Sequence, residues 1–311
     1  MSEIFINKLA IIVPTRNRME CLSELLESII PQKDIISQII VVDGSDEPMG
    51  ETFFANYPFK VDYAYVNPPS LTRQKNEGIK LLNEDITLAG YLDDDIVLGK
   101  NAIEKLLDFW ENCGKDVGGT SFNIINNPKI HHLRKYISIL FLIDSKKRGK
   151  VLKSGFCTSY EPLNENLSVE WLCGGATIWR REILENHKYD EFLKGWAYYE
   201  DAVFSYEISH NYKLFVVKDA KVEHNPPPYN VEKNVNLGKI STVNRYHFVR
   251  KYEELSVFFF MWSTIGEILI GFLQSIIYKN RGGFLLAYGH ITGLINILLN
   301  NITQSDDNFR K

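Results

Sequence analysis

The chain has few cysteines, and they lie far apart. Its 311 residues include four, Cys21, Cys113, Cys157 and Cys173. Their separations match neither the short spacings of metal-binding motifs nor the density of disulfide-stabilised secreted scaffolds. Neither class is therefore indicated, and a reducing compartment such as the cytoplasm is expected. Residues 1–7 also lack a basic stretch followed by an apolar one, so a cleaved signal peptide is not expected.

A large excess of one charge sign is also missing. The formal net charge is −4, which gives the whole molecule no electrostatic attraction to nucleic acid. No internal repeat and no low-complexity tract interrupts the chain. What the composition does show, 45% hydrophobic and 24% charged residues, is ordinary for a globular protein. The length suffices for one large domain, or for one domain with an appendage.

The first half of the chain alternates apolar runs with amphipathic segments. Strands are predicted at residues 9–13, 39–42, 61–66 and 88–92, and helices at residues 19–30 and 71–82. In the second of these helices, Ile79, Leu81 and Leu82 are expected to face inward. Such alternation is typical of a parallel sheet covered by helices on both faces, with ligands bound at the carboxyl edge.

Residues 126–168 break this pattern with charges, Asn and Gly. We expect here either a mobile excursion over the active edge or a plain surface loop. Further helices are predicted near residues 180–187 and from about residue 200, and two short strands at residues 214–217 and 221–224. We therefore predict that residues 1–230 form one α/β domain.

Three consecutive aspartates, Asp93, Asp94 and Asp95, follow the apolar run at residues 88–92. Adjacent carboxylates repel one another, so a hard divalent cation that keeps positions open for phosphate oxygens would stabilise them. A solvated acidic turn before a helix accounts for the triplet equally well. The triplet alone leaves both interpretations open.

The C-terminal part of the chain changes character. Residues 255–277 are strongly apolar, with Glu267 as their only formal charge, and residues 284–299 repeat the pattern over less than the roughly 20 residues that a membrane span needs. A wide apolar face with a thin polar seam indicates helices lying in a membrane interface. The alternative is a helical hairpin buried against the domain or a dimer partner. We predict that residues 231–311 form a helical region with peripheral membrane association.

Several motifs, taken in their order along the chain, resemble family 2 glycosyltransferases. They are residues 12–18, 41–45, 73–78, 93–95, 174–176 with 180–182, the pair Glu200-Asp201, and His224. The resemblance covers about residues 8–251. It implies the GT-A fold, a Rossmann-like α/β domain with a mainly parallel sheet that binds a nucleotide-sugar.

The resemblance also implies which residues bind the donor. They are Pro14, Thr15, Arg16, Asp43, Arg73, Asp93, Asp94, Gly174 and Gly175. Asp43 would accept a hydrogen bond from the base or ribose, and Arg73 would lie near the base or pyrophosphate. The two glycines would let the backbone approach the sugar. Many relatives carry two acidic or amide residues before Gly-Ser, whereas this chain has Asp43 alone, so the resemblance implies one such contact here.

A divalent metal, Mn²⁺ or Mg²⁺, is the cofactor that the resemblance implies. Asp95 would bind it, with Asp93 on the metal, its water or the ribose, and His224 as a further ligand. The metal would stabilise the departing nucleoside diphosphate. For His224, a purely structural role is an equal alternative.

For the chemical step, the resemblance assigns Asp201 as the base that takes the proton of the acceptor hydroxyl during inverting transfer. Glu200 would position the base or the acceptor. An acidic first turn that complements the helix dipole is compatible with these roles. Trp196, Tyr198 and Tyr199 would stack on acceptor sugars or lie in the core.

The expected function is therefore metal-dependent, inverting glycosyl transfer on the inner face of the cell membrane, in surface-polysaccharide biosynthesis. The donor would be a UDP-sugar or dTDP-rhamnose and the acceptor a lipid-linked glycan, with Arg245, Arg250 and Lys251 meeting phosphates. No nucleic acid partner is expected, and a homodimer is left open. One alternative is a non-catalytic nucleotide-sugar-binding scaffold subunit of a synthase complex. Another is a nucleotidyltransferase, which would need a Gly-rich, Lys-containing loop that residues 14–18 lack.

Overall fold

A computed structural model describes residues 7–127, 132–160, 163–195, 197–226 and 230–300. The chain divides into two compact units. The first comprises Met1–Asn127, Pro162–Phe192 and Glu200–Pro227, and the second comprises Pro128–Glu161, Leu193–Tyr199 and Pro228–Lys311. The second unit thus joins two earlier segments to the C-terminal helices, and a division at residue 230 stays a prediction.

The strands of the described residues all belong to one sheet in the first unit. They are β1 (Leu9–Thr15), β2 (Gln38–Asp43), β3 (Asp62–Tyr65), β4 (Leu88–Leu92), β5 (Ile96–Leu98), β6 (Val117–Ile124), β7 (Leu167–Val169), β8 (Ala176–Arg180) and β9 (Lys213–His224). The helices are α1 (Met19–Ile29), α2 (Leu71–Lys80), α3 (Ala102–Asn112), α4 (His132–Leu140), α5 (Arg181–Asn186), α6 (Glu200–Ser209), α7 (Asn234–Lys251), α8 (Val257–Tyr278) and α9 (Gly282–Leu298).

The sheet is mixed, with the order β3-β2-β1-β4-β8-β6-β9-β5 and β7 paired to β9. Its first four strands are parallel, and β6 also runs parallel to β9, whereas β8, β5 and β7 pair in antiparallel fashion. The register of β1 and β2 places Thr15 beside Asp43. The carboxyl ends of the parallel strands therefore bring the predicted donor-binding residues to one edge.

Local apolar patterns account for the core of this unit. Every residue of β1 and β2 is buried. On α1, the buried residues Leu22, Leu25, Leu26 and Ile29 form one stripe at helical spacing. Each such side chain contributes roughly 1.5–3 kcal/mol by leaving water. The predicted strands at residues 9–13, 39–42 and 88–92 and the helix at residues 19–30 are confirmed.

Helix α2 faces the sheet with a different side from the one predicted. Leu81 is 38% exposed, whereas Gln74, Lys75 and Asn76 are buried. Gly78 explains how closely α2 packs, because a Cβ at this position would lie 2.4 Å from the side chain of Ile12 on β1. The buried face of α2 is thus mainly polar. The prediction that Leu81 faces inward is wrong, whereas Ile79 and Leu82 are half-buried, and α2 ends at Lys80 before Leu81 and Leu82.

Two further predictions change in detail. The strands predicted at residues 214–217 and 221–224 form the single strand β9, which tolerates a register shift where Phe122 and Asn123 pair with it. Residues 126–168, predicted as an excursion or loop, contain α4 and the first two residues of β7.

The second unit is helical, and small residues bring its helices close together. A Cβ at Gly238 on α7 would lie 2.4 Å from the carbonyl of Leu286, and one at Gly271 on α8 would lie 2.6 Å from that of Gly283. Within the described residues, α8 is the one helix that is long and apolar enough to cross a membrane by length and composition, and 33% of its apolar window is buried.

Arg245 lies inside this helical unit and not on its surface. Its side chain is 1% exposed, and it donates to Ser263 Oγ at 2.6 Å, Thr264 Oγ1 at 2.7 Å and Glu267 Oε2 at 2.7 Å. The expectation that Arg245 meets lipid or acceptor phosphates is therefore wrong, because its donors are used by α8. Arg250 and Lys251, at the end of α7, are exposed.

Candidate active site

Asp43, at the end of β2, is fully buried and held by its own surroundings. Its Oδ1 accepts the Ser45 N–H at 2.7 Å, and its Oδ2 accepts the Met49 N–H at 3.0 Å and the Tyr63 hydroxyl at 2.9 Å. Burial and the hydrogen bond to Asp43 raise the pKa of Tyr63, so this hydroxyl stays a donor. The carboxylate fixes the loop after β2, and its contact with a nucleotide stays a prediction.

The other predicted nucleotide contacts lie at the same edge. Pro14 is buried within β1, and Arg16 follows it with Nη2 3.1 Å from Asp46 Oδ1. The Arg16 Nε is buried without a hydrogen-bond partner among the described residues. Arg73 is half-buried in the first turn of α2. A buried donor without a partner is costly, so Arg16 is a basic side chain at this edge with spare hydrogen-bonding capacity.

Two members of the aspartate triplet, Asp94 and Asp95, are buried, and Asp93 is half-buried. Asp94 Oδ2 accepts the Thr15 hydroxyl at 2.7 Å, and Arg18 Nη1 bridges Asp94 Oδ1 at 3.0 Å and Asp95 Oδ2 at 3.1 Å. On the other side, His224 Nε2 lies 3.2 Å from Asp95 Oδ1. Asp94 and Asp95 are 3% and 7% exposed, which excludes the alternative of a solvated acidic turn.

These contacts separate the pKa values of the three acids. Burial raises the pKa of Asp93, and it raises the pKa of Asp94 to about 6. Burial also opposes ionisation of Asp95, but His224 and Arg18 outweigh it and lower the pKa of Asp95. The Asp95 carboxylate beside it in turn raises the pKa of His224. Asp95 is therefore the member of the triplet that is most readily a carboxylate.

The donor set around Asp95 fits a divalent cation that the substrate completes. Asp95 Oδ1 is buried and accepts no well-aligned hydrogen bond, and the imidazole of His224 is its neighbour. Among the described residues, no group of three or more His, Cys, Asp or Glu side chains converges on one metal position. One carboxylate and one imidazole leave most positions of a six-coordinate ion to phosphate oxygens and water, as Mg²⁺ and Mn²⁺ sites on nucleotides require.

Glu200 and Asp201 open α6 beside the backbone of Gly174. Asp201 Oδ1 accepts the Ala202 N–H at 2.7 Å, and its Oδ2 accepts the Gly174 N–H at 3.1 Å. Glu200 Oε1 accepts the buried Lys75 ammonium at 2.7 Å. Both acids lie in the first turn of α6, where a negative charge also interacts favourably with the helix dipole.

The two glycines before β8 are required by side chains of this site. A Cβ at Gly174 would lie 2.7 Å from both Glu200 Oε1 and Asp201 Cβ, and one at Gly175 would lie 2.4 Å from Asp93 Oδ2. Glycine therefore lets three acids crowd one stretch of backbone. The predicted approach of this backbone to a sugar stays a prediction.

The predicted acceptor residues belong to the second unit. Trp196 lies outside the described residues. The side chain of Tyr198 is 41% exposed, its ring meets that of Tyr199 edge-on at 5.4 Å, and its carbonyl accepts the Asn244 amide at 2.7 Å. Tyr199 is half-buried. Their role in binding an acceptor stays a prediction.

Sequence reasoning assigned no role to Arg18 or Lys75, which hold the two acid groups. For Lys75, one feature of the sequence indicates that it is buried. Lys75 and Gly78 are three residues apart and share a helix face, and a glycine in an amphipathic helix marks the face that packs closely. For Arg18 the only signal was its place two residues beyond Arg16, after the first strand.

The N-terminal part of the sequence matches a known family. Residues 10–188, more than half of the chain, match Glycosyl transferase family 2. The chain belongs to this family. Both the resemblance stated from the motifs and the family's sequence profile therefore lead to the same assignment.

The chain is also similar to one curated protein. The chain is 23% identical over 205 residues to the minor teichoic acid biosynthesis protein GgaA of Bacillus subtilis (strain 168), covering 63% of this chain and 42% of GgaA. The chain thus spans less than half the length of this curated relative.

Two solved structures share the fold across nearly the whole chain. The mannosyltransferase PcManGT of Pyrobaculum calidifontis, in complex with GDP-Man and Mn²⁺, has a TM-score of 0.58 at 13% identity, covering 94% of this chain and 87% of its own. GalNAc-T7 with UDP, GalNAc and Mn²⁺ has a TM-score of 0.61 at 14% identity, and the match covers 96% of this chain and 58% of the GalNAc-T7 chain. The predicted GT-A fold class is confirmed.

Proposed function

We propose that this chain is a metal-dependent, inverting glycosyltransferase (EC 2.4 type) with residues 1–230 as its catalytic domain. It moves a sugar from a nucleotide-diphosphate donor to a lipid-linked glycan. One observation carries the proposal: Asp95 and His224, which suit a divalent metal, and Asp201, a half-buried acid that accepts a backbone N–H, lie in the same α/β unit. Residues 10–188 of the chain match family 2.

Asp95 and His224 would hold the divalent cation, Mn²⁺ or Mg²⁺, with Asp93 on the metal, its water or the ribose. When bound, the cation supplies Lewis-acid stabilisation of the leaving nucleoside diphosphate. PcManGT and GalNAc-T7, which share the fold, were solved with Mn²⁺, and this supports a divalent cation here. Arg18 is the cation that Asp94 and Asp95 share, and it partly offsets their mutual repulsion.

Asp201 would accept the proton of the acceptor hydroxyl as that oxygen attacks the anomeric carbon opposite the leaving group. Each of its oxygens receives one backbone N–H, from Ala202 and Gly174, which fixes the plane of the carboxylate. Each oxygen keeps a further lone pair for a hydroxyl. Glu200 would position Asp201 or the acceptor.

The donor would be a UDP-sugar or dTDP-rhamnose, bound by the residues at the ends of β1, β2 and β4. PcManGT with GDP-Man and GalNAc-T7 with UDP support a nucleotide donor for the shared fold. The similarity to GgaA supports an acceptor of the kind that cell-surface polysaccharides grow on. We place the reaction on the cytoplasmic face of the membrane.

An exposed apolar stripe on α8 supports membrane association. The side chains of this stripe recur every three or four residues along the helix: Phe258, Trp262, Ile265, Leu269, Leu273 and Ile276. Ser263, Thr264 and Gly271 on the same helix are buried. A helix with one face packed and the other apolar and exposed is suited to lying in the membrane interface.

The proposal is tested by thermal unfolding with UDP, dTDP, GDP and CDP, each with and without Mn²⁺ or Mg²⁺. A ligand that binds only the folded state raises the unfolding temperature. We expect one nucleotide to do so in a metal-dependent way, and Asp95→Ala to abolish the shift. Turnover should then release nucleoside diphosphate and not pyrophosphate. Binding without turnover would favour the scaffold-subunit alternative.

A further inference from the structure

Lys75 is a buried cation in the middle of the candidate site. Its side chain is 0% exposed, and the rings of Tyr91 and Tyr189 lie 5.1 and 5.0 Å from its Nζ. An ammonium group without water needs opposite charge and hydrogen-bond acceptors. Glu200 supplies both, with Oε1 at 2.7 Å. The pair joins α2 to the start of α6 across 125 residues of sequence.

The same ammonium also forms a hydrogen bond to Gly174, whose backbone contacts Asp201. Lys75 Nζ donates to the Gly174 carbonyl at 3.2 Å, and the Gly174 N–H donates to Asp201 Oδ2 at 3.1 Å. Since Glu200 and Asp201 are adjacent, these contacts close a ring through one lysine, one glycine and two acids. A Cβ at Gly174 would lie 3.0 Å from Nζ, so the ring closes only around glycine.

The geometry leaves one oxygen of Glu200 unused. Oε1 is taken by Lys75, whereas Oε2 is buried with no hydrogen-bond partner among the described residues. A buried carboxylate oxygen without a donor is unfavourable by roughly 1–3 kcal/mol or more, so its retention indicates a partner that arrives with the substrate. By fixing Oε1, Lys75 determines where Oε2 lies.

We propose that Lys75 is a positioning residue for sugar transfer, which holds the Gly174 peptide against Asp201 and holds Glu200 as a carboxylate with Oε2 directed to a substrate hydroxyl. This inference rests on the proposed function, because it takes Asp201 as the base. Lys75 itself touches no reacting atom in this arrangement. It acts through Gly174 and Glu200.

The charges around Glu200 show why a cation is required there. The titratable groups that face it are Lys75 from α2, Asp201 from its own helix, Asp93 after β4, and the phenols Tyr91 and Tyr189. Lys75 is the one cation among them. Burial opposes the charge of Lys75, but Glu200, Asp93 and Asp201 raise the pKa of Lys75 above its ordinary value. The lysine therefore stays charged in the absence of water.

The test compares Lys75→Met with Lys80→Met on the same helix. Methionine keeps the apolar stem and removes the charge, while Lys80 is exposed and serves as the matched control. Activity is the nucleoside diphosphate released from a panel of UDP-, dTDP- and GDP-sugars with a membrane extract as acceptor. We expect Lys75→Met to lower kcat by about 10- to 100-fold with the donor KM within about twofold. Lys75→Arg, which keeps the charge, should retain more turnover.

A double-mutant cycle separates positioning from folding. Lys75→Met/Glu200→Gln removes the buried charge pair as a whole and is expected to fold even where the single Lys75→Met variant does not. Because Lys75 acts through both Glu200 and Gly174, the double variant should turn over more slowly than Glu200→Gln alone, but by clearly less than the product of the two single effects.

Different outcomes overturn different statements. An unchanged kcat in folded Lys75→Met, or a double variant that loses the full product, overturns the inference about Lys75. Full turnover in Asp201→Asn overturns the assignment of the base, and no turnover by the unmodified chain with any donor overturns the proposed function and the inference that rests on it.

Discussion

Glu200 and Asp201 are neighbours in sequence but occupy different surroundings. Glu200 is buried against an ammonium group, whereas Asp201 is half-buried and held by two backbone N–H groups. Two carboxylates with different surroundings are suited to different tasks. In the proposed mechanism, Glu200 positions the site through its contact with Lys75, and Asp201 is the acid that would meet an incoming hydroxyl.

Turnover should depend on pH through Glu200. Burial raises the pKa of Glu200 to about 7, and the Lys75 ammonium opposes this rise. Because the carboxylate form is the one that Lys75 holds, kcat should increase as pH passes about 7. In Lys75→Met the positive charge that opposes this rise is gone, so the pKa of Glu200 and with it the midpoint of the kcat–pH curve should move to higher pH. The measurement is kcat against pH, with Lys80→Met as baseline, and an equal midpoint in both variants would contradict the link.

Gly174→Ala should damage the site without a change of charge. The added methyl would lie 2.7 Å from Glu200 Oε1, so either the acid or the backbone must move. A displacement of about 1 Å can lower kcat roughly 100-fold. Gly50→Ala is the matched control, because its Cβ would meet its nearest neighbour at an ordinary 3.4 Å. Equal turnover in the two variants would show that Gly174 does not order the acids.

At the scale of elements, α2 shows where sequence reasoning reaches its limit. The bounds of β1, β2, β4 and α1 could be predicted, because each of these elements consists of a continuous or regularly spaced set of apolar residues that is visible in its own sequence. The orientation of α2 does not, since Gln74 Nε2 donates to the carbonyls of Thr15 and Val42, 59 and 32 residues away. The hydrogen bonds of Gln74 to the strand ends decide which side of α2 is buried, against the apolar spacing of residues 79–82. The local sequence pattern does not predict such long-range hydrogen bonds.

The same reason explains which parts of the site were predictable. Motif order along the chain identified the acids: Asp43 and the triplet at residues 93–95 lie at strand ends and so reach the same edge, whereas Glu200 and Asp201 were found by the resemblance. The contacts that hold them, Lys75 to Glu200 and Arg18 to Asp94, span 125 and 76 residues. Such pairs depend on how elements pack and not on their own sequence. A family resemblance predicts the roles of the acids, but not the residues that hold the acids in place.

Gln74→Leu should destabilise the protein although it adds apolar surface to a buried position. The change leaves two buried carbonyl oxygens with one donor fewer, at a cost of roughly 1–3 kcal/mol each. Leu81→Ala, near the end of the same helix, removes an exposed side chain and should change stability by less than about 0.5 kcal/mol. Urea unfolding of both variants measures the difference. A Gln74→Leu variant as stable as Leu81→Ala would mean that packing and not hydrogen bonding orients α2.

At the scale of the whole molecule, the net charge bears on how the protein meets a membrane. A net charge of −4 provides no overall attraction to an anionic surface. The second unit offers an apolar stripe along the 22 residues of α8 instead, about 33 Å long. Association driven by apolar burial persists at high salt, whereas association driven by basic residues is screened.

Binding to vesicles of anionic and neutral lipid should therefore depend on the α8 stripe more than on salt. Leu269→Gln/Leu273→Gln replaces two side chains that are 44% and 45% exposed, and it should lower the fraction bound by at least about tenfold. Leu81→Gln, an equally apolar exposed position in the α/β unit, should leave binding unchanged. Sedimentation with vesicles at low salt and at about 0.5 M salt distinguishes the causes. If salt releases the protein and the double variant still binds, exposed cations such as Arg250 and Lys251 hold it to the surface. The stripe must then be covered by something other than lipid.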